Sequence, residues 1–403
     1  MSTVQNETIP HHPVETTEAT FESLGLSPEV LASVKHVGFE HPTPIQKAVI
    51  PAGLEGRDLI GLAETGSGKT AAFCLPIADR LQRGNAPRGL ILSPTREIAL
   101  QTKAFLDLFG ERHAIVTACL IGGVKFGPQV DALRKNPDVI VATPGRMLDH
   151  IQRKTVSVAQ ISELVLDEAD HMLDLGFLPQ VKKILAYLPR ERHTMLFSAT
   201  MPNPIESLAR TILNDPVRID VLPKGRTAAG MTHRLYIVSV NDKRKCLLAL
   251  LDQELGSTLV FARRKVDTEW LYTILKRKGH PVERIHSDRS QKGRSDALET
   301  FREGEHRILV ATGIAGRGID IPGIQHVIHF DLPETVEDYI HRGGRTARGD
   351  AVGLVSSIAT FMELAIVTQI ERSIGQEIPR CSVPGVPEWV ESAKKKTRSR
   401  RRV

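Results

Sequence analysis

The amino-acid sequence predicts an α/β protein built from two tandem domains, each a parallel sheet with helices on both faces. Three observations predict this fold. The chain has 403 residues, of which 41% are hydrophobic, and this is enough to bury two ordinary cores. Short, continuous apolar runs alternate with helical patterns, as expected of parallel strands buried on both faces. The alternation breaks at the polar, glycine-containing segment 223–230 and then starts again.

The apolar runs are the predicted strands. Those before the break are 59–62, 90–92, 139–141, 164–166 and 195–197, and those after it are 258–261, 308–311, 327–330 and 354–356. We predict domains at 21–222 and 233–380, joined by a linker at 223–232. Residues 1–20 are expected to be disordered, because Thr, Glu, His and Pro dominate there, and residues 381–403 are expected to form a basic tail.

The positive charge is concentrated at one end of the chain. The net charge is +6, but seven basic residues lie within the last ten positions, so the remainder is nearly neutral. Such a tail is a sequence-independent phosphate anchor, a targeting signal or a solubilising end, and the sequence leaves these alternatives open.

Composition also bears on location. No apolar run reaches membrane-spanning length, and the first twenty residues lack the apolar stretch of a signal peptide. The four cysteines lie far apart and show no zinc or redox spacing, which is typical of a reducing compartment. We therefore expect a cytoplasmic protein without a membrane partner, and a monomer by default.

The stretch 63–70 carries the strongest chemical signal. Its residues are Ala63, Glu64, Thr65, Gly66, Ser67, Gly68, Lys69 and Thr70. The stretch follows the predicted strand 59–62 and leads into a helix, so its backbone N–H groups and the helix dipole can hold phosphates. Lys69 can reach the β- and γ-phosphates, and the Thr70 hydroxyl can bind Mg²⁺. Ala63 replaces the usual first glycine and is small enough to keep the loop tight. The pattern predicts a nucleotide site, against the alternative of a flexible surface turn.

Two adjacent acids follow the predicted strand 164–166. Acids side by side at a strand end repel each other unless a cation or a chemical task accounts for them. In an enzyme with a phosphate-binding loop, the first acid holds Mg²⁺ and a neighbour can deprotonate the attacking water. We therefore assign Asp167 to the metal and Glu168 to the role of general base. The alternative is an exposed acidic turn that caps the following helix.

Residues 167–170 spell D-E-A-D, and residues 21–380 resemble the DEAD-box RNA helicase family, with its motifs in the family's order. The resemblance implies two RecA-like domains and an RNA-dependent ATPase with ATP and Mg²⁺ as cofactors. It also implies that ATP-driven closure of the domains on single-stranded RNA unwinds short duplexes or remodels RNA–protein complexes. ATP hydrolysis to ADP and phosphate would then reopen the domains. The identity of any ribonucleoprotein partner stays open.

The resemblance also implies residue roles. Phe21 would pack on the adenine, Gln46 would bond its edge, and Asp320 would contact the ATP ribose. Arg345 and Arg348 would be arginine fingers that reach the γ-phosphate and stabilise transferring charge. The implied RNA contacts are Pro94, Thr95, Arg96, Gly123, Thr143, Gly145, Arg146, Gln291, Arg294 and Thr312. The implied residues that couple hydrolysis to strand separation are Asp170, Ser198, Thr200 and His341, with hydrogen bonds expected between Asp170 and the segment 198–200.

The sequence departs from the family pattern at four positions. Gly313 stands where Asp is usual, Gly316 where a side chain is common, Gly343 where an apolar residue is usual and Ala347 where Gly is usual. Glycines at 313 and 316 loosen a loop that should be rigid when RNA is bound. We therefore hypothesise weaker coupling between RNA and ATP than in a typical member of the family.

Two alternative functions remain open from the residues. One is a DNA-acting helicase or translocase on the same tandem architecture, which the adenine motif and the D-E-A-D acids disfavour. The other is a non-catalytic RNA-binding scaffold, which the complete set of catalytic residues disfavours. Aromatic residues make up only 4% of the chain, so nucleic-acid binding is expected to follow the sugar–phosphate backbone with little sequence preference. Discrimination of RNA from DNA would then rest on the 2′-hydroxyls.

Overall fold

The computed structural model describes residues 20–63, 66–81, 87–221, 231–254, 256–313, 323–346 and 353–387. The chain divides into two compact units, one around each of two parallel sheets. The predicted fold class is therefore confirmed.

The first unit contains a seven-stranded parallel sheet in the order β3-β4-β2-β5-β6-β1-β7. Its strands are β1 (Leu59–Leu62), β2 (Gly89–Leu92), β3 (Thr117–Leu120), β4 (Val139–Ala142), β5 (Glu163–Leu166), β6 (His193–Ser198) and β7 (Val217–Asp220). Its helices are α1 (Pro28–His36), α2 (Pro44–Leu54), α3 (Lys69–Arg80), α4 (Arg96–Gly110), α5 (Phe126–Leu133), α6 (Pro144–Gln152), α7 (Ala169–Asp174), α8 (Leu178–Leu185) and α9 (Asn203–Ile212).

The second unit contains a six-stranded parallel sheet in the order β10-β11-β9-β12-β13-β8. Its strands are β8 (Met231–Ile237), β9 (Thr258–Ala262), β10 (Val282–Ile285), β11 (Ile308–Thr312), β12 (His326–His329) and β13 (Gly353–Ala359). Its helices are α10 (Lys243–Gln253), α11 (Lys265–Arg277), α12 (Gln291–Arg302), α13 (Val336–Gly343) and α14 (Leu364–Ile374).

Alternate residues of the central strands pack on opposite faces of the second sheet. In β9, Leu259 and Phe261 join a cluster with residues of α12, α13 and α14. Val260 and Ala262 join a second cluster with residues of α10 and α11. Because successive side chains of a strand point to opposite faces, burial on both faces requires a continuous apolar run, and this is the pattern that the sequence shows.

Two of the predicted boundaries differ from the structure. Strand β8 begins at Met231, so the last two residues of the predicted linker 223–232 belong to the second sheet. The segment after residue 380 is also packed: the N–H of Cys381 donates to the Leu235 carbonyl at 2.7 Å, and Val383 is buried. Residues 381–387 are therefore part of the second unit rather than the start of a tail.

A buried ion network ties together the amino ends of β5 and β6. Glu163, whose side chain is 3% exposed, accepts from the Arg80 guanidinium at 3.0 Å and lies 2.5 Å from the Nδ1 of His193. The Nε2 of His193 lies 2.9 Å from the Arg57 carbonyl. The carboxylate thus bonds the Arg80 guanidinium and contacts the His193 ring, in a side chain that is almost completely buried.

We expect Glu163→Ala to lower the free energy of unfolding of the first unit by about 3 kcal/mol, because it leaves Arg80 and His193 without their buried partner. Urea denaturation followed by circular dichroism measures this. Glu206→Ala is the matched control, since the Glu206–Arg210 pair is exposed and its loss should cost under about 0.5 kcal/mol. Equal effects of the two substitutions would contradict the importance of the network.

The core of the second unit contains a histidine that stays neutral. Burial, with a smaller effect from the charge of Arg234, lowers the pKa of His326 from 6.5 to about 4. Its Nε2 lies 2.8 Å from the Ser356 hydroxyl, inside the sheet. Between pH 6.5 and about 4 the unfolded chain binds a proton at this site that the folded chain does not, so stability falls as the pH falls through that window.

We expect His326→Gln to make the stability of the second unit less sensitive to acid, by up to about 3 kcal/mol at the low end of the window. Glutamine can still bond the Ser356 hydroxyl but does not titrate. Both tryptophans of the chain follow residue 231, so tryptophan fluorescence in urea at pH 7.5, 6 and 5 follows this unit. An unchanged slope for His326→Gln would contradict the prediction.

Candidate active site

The glycine-rich loop lies between β1 and α3. The N–H of Ala63 donates to the Ser198 carbonyl at 3.1 Å, which fixes the start of the loop beside β6. Gly66 and Gly68 adopt left-handed backbone angles, with φ of 85° and 94°, which only glycine adopts without strain. The ammonium of Lys69, at the first position of α3, reaches back to the Ala63 carbonyl at 2.5 Å. Ser67 and Thr70 are half-buried, and Glu64 and Thr65 lie outside the described residues.

Gln46 links helix α2 to this loop. Its Oε1 accepts from the N–H of Thr43 at 2.9 Å, and its Nε2 donates to the Gly68 carbonyl at 3.2 Å. A Cβ at Gly68 would lie 2.5 Å from that Nε2, so glycine is required for the contact. The adenine-reading role of Gln46 stays a prediction; the structure adds that the same side chain holds the loop. Thr43 was not among the predicted site residues, although the T-x-x-Q spacing is a capping-box signal.

Phe21 is buried in this structure. Its side chain is 3% exposed, and its ring stacks on Phe39 with centroids 6.2 Å apart. The two rings adjoin a cavity of about 290 Å³ that is also lined by Glu22, Lys35 and Glu40. Packing of Phe21 on adenine stays a prediction, and it would require one ring face to be uncovered.

The two acids after β5 are enclosed. Asp167 is 3% exposed, and its N–H donates to the Leu92 carbonyl at 2.9 Å. Burial, and then the neighbouring charge of Glu168, raise the pKa of Asp167 to about 7, while the ammonium of Lys69 opposes the rise. The alternative of an exposed acidic turn is therefore excluded, because this carboxyl group is withdrawn from water.

Glu168 has an unusual backbone. It is the N-cap of α7 with φ 50° and ψ 57°, the left-handed region that a glutamate rarely adopts. Its Oε2 lies 3.0 Å from the Nδ1 of His171. His171 was not predicted as a site residue, and a single histidine after the acids carries no recognisable signal in one sequence.

Asp170 connects the acids to the end of β6. Its Oδ2 accepts from the N–H groups of Ala199 and Thr200, at 3.1 and 2.8 Å, and from the Thr200 hydroxyl at 3.0 Å. The N–H of Asp170 in turn donates to the Ser198 hydroxyl at 3.1 Å. The hydrogen bonds expected between Asp170 and the segment 198–200 are thus present, and their role in coupling stays a prediction.

The predicted RNA contacts that precede residue 222 lie after three adjacent strands of the first sheet, β3, β4 and β2. Pro94, Thr95 and Arg96 follow β2, Gly123 follows β3, and Thr143, Gly145 and Arg146 follow β4. Gly123 has φ 74°, and a Cβ there would overlap the Arg96 guanidinium. Glycine at 123 therefore allows the arginine to lie against the backbone of this loop.

The second unit brings its predicted residues to helix and strand ends. Gln291 and Arg294 lie in the first turn of α12, which begins after Ser290, whose hydroxyl accepts from the Gly293 N–H at 3.1 Å. Thr312 ends β11, His341 lies in the last turn of α13, and Arg345 follows that helix, 2% exposed. Asp320, Arg348, Gly316 and Ala347 lie outside the described residues.

Comparison with known proteins decides the family. Residues 43–208 match the family described as DEAD/DEAH box helicase, and residues 242–350 match the helicase conserved C-terminal domain. The chain is 39% identical over 370 residues to the DEAD-box ATP-dependent RNA helicase RhpA of Helicobacter pylori, covering 92% of this chain and 75% of the relative. It is 41% identical over 376 residues to CshA of Geobacillus kaustophilus, covering 92% and 80%. The chain belongs to the DEAD-box ATP-dependent RNA helicases.

Solved structures agree with this family. S. cerevisiae Dbp5 bound to RNA and ADP BeF3 matches with a TM-score of 0.82 and 31% identity over 90% of this helicase and 95% of that chain. Mss116p (NTE and C-tail double deletion) bound to ssRNA and AMP-PNP matches with a TM-score of 0.83 and 27% identity over 93% and 82%. The family and the RecA-like fold class expected from the sequence are confirmed. Among the described residues of the helicase, no helix has the length and apolar character that a membrane span requires.

The residues of the helicase site fit a magnesium ion. Mg²⁺ prefers carboxylate and hydroxyl oxygens, and usually takes one or two protein ligands while water and phosphates supply the rest. Asp167 offers a buried carboxyl group whose pKa is raised in the absence of a cation, and Thr70 offers a hydroxyl. Within the described ranges, no cluster of three or more His, Cys, Asp or Glu side chains could hold a metal.

Gly313, one of the departures from the family pattern, lies beside Arg342. A Cβ at this position would be 2.6 Å from the Nη2 of Arg342, the mobile end of a long side chain, and the backbone of Gly313 is not left-handed. The guanidinium also lies 2.5 Å from an Asp338 oxygen and 5.0 Å from the centre of the Phe261 ring. A carboxylate at 313 would therefore meet a guanidinium that is already partly held in place.

We expect Gly313→Asp to raise RNA-stimulated ATP turnover by about 3- to 10-fold. The reason is that the new carboxylate would form a charge-assisted hydrogen bond with the Arg342 guanidinium, which glycine cannot form. Gly313→Ala is the matched control, because it adds the Cβ without the carboxylate. Turnover of Gly313→Asp no higher than that of the parent protein would contradict the weak-coupling hypothesis.

Proposed function

We propose that this helicase hydrolyses ATP to ADP and phosphate, and that ATP-driven closure of its two domains on single-stranded RNA separates short duplexes or remodels RNA–protein complexes. One observation supports the proposal most directly. Asp167, at the end of β5, is buried near Lys69 of the glycine-rich loop, and Asp170 of the same acidic motif is hydrogen-bonded to the segment 198–200. A change at the nucleotide would thereby be passed to the end of a neighbouring strand.

The proposed division of labour follows from the chemistry of each group. The N–H groups of the glycine-rich loop and the ammonium of Lys69 would hold the phosphates. Asp167 and the Thr70 hydroxyl would hold Mg²⁺, which when bound neutralises charge on the phosphate oxygens. Glu168, 15% exposed, is open enough to meet water and would take the proton of the attacking molecule.

The second domain would complete the reaction. Arg345 and Arg348 are proposed to stabilise charge on the transferring phosphoryl group, and Asp320 to contact the ribose, as the family resemblance implies. This arrangement makes hydrolysis depend on domain closure and therefore on RNA. Release of phosphate would allow the domains to separate.

RNA is proposed to bind through its backbone with little sequence preference. The residues before 222 that are assigned to RNA follow three adjacent strands of the first sheet and offer mainly backbone groups, hydroxyls and guanidinium groups, which suit phosphate and sugar rather than base edges. The support from relatives is that Dbp5 and Mss116p were each solved bound to RNA together with a nucleotide analogue. Contacts with the 2′-hydroxyls would distinguish RNA from DNA.

We expect steady-state ATP hydrolysis to be stimulated strongly by single-stranded RNA and little by single-stranded DNA. Glu168→Gln should retain ATP and RNA binding but lower turnover at least 100-fold, because the amide does not accept the proton. Phosphate release, together with fluorescence anisotropy of labelled RNA with and without ATP, measures both properties. Glu206→Gln, at a half-buried position of α9 away from the acids after β5, is the control for an acid-to-amide change.

Other outcomes would favour the alternatives. Equal stimulation by DNA would indicate a DNA-acting enzyme, and RNA binding without turnover in the parent protein would indicate a scaffold. Normal turnover of Glu168→Gln would contradict the assignment of the base while leaving the ATPase itself intact.

A further inference from the structure

We propose that His171 is a positioning residue for hydrolysis, which holds the carboxylate of Glu168 towards the attacking water. The inference rests on the proposed role of Glu168 as the general base. The Nδ1 of His171 lies 3.0 Å from the Oε2 of Glu168, and the two side chains are 3% and 15% exposed. The carboxylate therefore has one oxygen held by a buried ring, in a side chain that still reaches water.

The backbone of Glu168 also restricts where its carboxylate can lie. A left-handed backbone costs about 1–3 kcal/mol for a residue other than glycine, and such residues gather at functional sites. The side chain of Glu168 accepts no capping hydrogen bond from the backbone of α7 and lies against the ring of His171.

Packing alone does not explain a histidine at position 171. The ring is almost fully buried, and its Nε2 has no hydrogen-bond partner among the described residues. A buried polar atom without a partner costs about 1–3 kcal/mol, so an apolar side chain would stabilise this position. A histidine at this position is explained, despite that energetic cost, by the contact of its Nδ1 with the Glu168 carboxylate.

His171 also lies close to the proposed coupling element. Its N–H donates to the Oδ1 of Asp170 at 2.9 Å, while the Oδ2 of Asp170 accepts from Thr200. A chain of contacts therefore runs from the end of β6 through Asp170 and α7 to His171 and Glu168. A displacement of the 198–200 segment would move the ring that orients the base.

The hydrolysis step needs only ATP, one water molecule and the Glu168 carboxylate as proton acceptor. The oxygen of water forms a bond to the γ-phosphorus as the bond between that phosphorus and the bridging oxygen of ADP breaks. The water proton passes to the Glu168 carboxylate, and phosphate and ADP leave. Because a carboxylate oxygen accepts, Nδ1 of His171 is the donor in its contact with Oε2 of Glu168, and the proton of the water does not pass to the ring. Loss of such an orienting contact costs about 10- to 100-fold in rate.

The test compares His171→Leu with His171→Asn in the full chain. Asparagine places an amide N–H near the position of Nδ1, whereas leucine fills the space without a donor. We expect His171→Leu to lower RNA-stimulated kcat about 10- to 100-fold with an unchanged KM for ATP. We expect His171→Asn to retain at least about a third of kcat. Melting temperatures should follow the opposite order, with leucine the more stable variant, because it removes the unpartnered nitrogen.

The opposite rankings of the two variants by kcat and by melting temperature distinguish a positioning role from a purely structural one. If His171 only packed, activity would follow stability, and the leucine variant would be at least as active as the asparagine variant. That result, or a normal kcat for His171→Leu, would overturn the proposal. Adding His171→Leu to Glu168→Gln should cause no further loss. An inactive Glu168→Gln with a normal His171→Leu would refute only the positioning role, whereas a normal Glu168→Gln would refute the base assignment.

Discussion

The constraint on which the rest of the structure depends is that both sheets are parallel and covered on both faces. Strands β2, β4, β5 and β6 have their apolar side chains completely buried, so the middle of each strand is apolar and polar side chains lie towards its ends. Glu163 and His193 lie at the amino ends of β5 and β6, and the carboxyl ends of parallel strands meet at one edge of the sheet. The glycine-rich loop, the acids, the 198–200 segment and the proposed RNA contacts that precede residue 222 lie at or after the carboxyl ends of strands of the first sheet for this reason.

Two buried acids of the same short motif, Asp167 and Asp170, have different surroundings. Asp170 accepts at least four hydrogen bonds, from His171, Ala199 and Thr200, so its charge is compensated by fixed donors. Asp167 is equally buried, but its charge is opposed by Glu168 and supported by Lys69, and its pKa rises to about 7. A bound cation would therefore stabilise the charged form of Asp167. Asp170, which is held by fixed donors, is suited to passing a movement of the 198–200 segment on to α7. The difference arises from what surrounds each carboxyl group, since the two residue types are identical.

The strands that the sequence pattern did not predict are the outermost strands of the two sheets: β3 and β7 in the first, β8 and β10 in the second. Each has exposed or half-buried residues among the buried ones, and β7 and β10 contain charged side chains. A strand with a neighbour on one side only is partly solvated, so its sequence does not form a continuous apolar run. The central strands do have continuous apolar runs, and every strand that the pattern predicted is present in the structure. The predicted limits of the second domain, 233 and 380, differ from the structure for a related reason. Strand β8 is an edge strand of the second sheet, and the segment around residue 380 pairs with it.

The sequence by itself determined the fold class and the family, because glycines, a lysine, a threonine and paired acids after apolar runs leave few alternatives, and it also predicted which residues form the site. It did not determine which neighbours fix those groups. That Gln46 holds the Gly68 carbonyl, and that His171 faces Glu168, follow from contacts between side chains and from a left-handed backbone at one glutamate. Such contacts depend on the packing of α2 and α7 against the sheet, and no periodicity or spacing in the chain records them. The tertiary structure alone decides them, since a hydrogen bond depends on distances of a few tenths of an ångström.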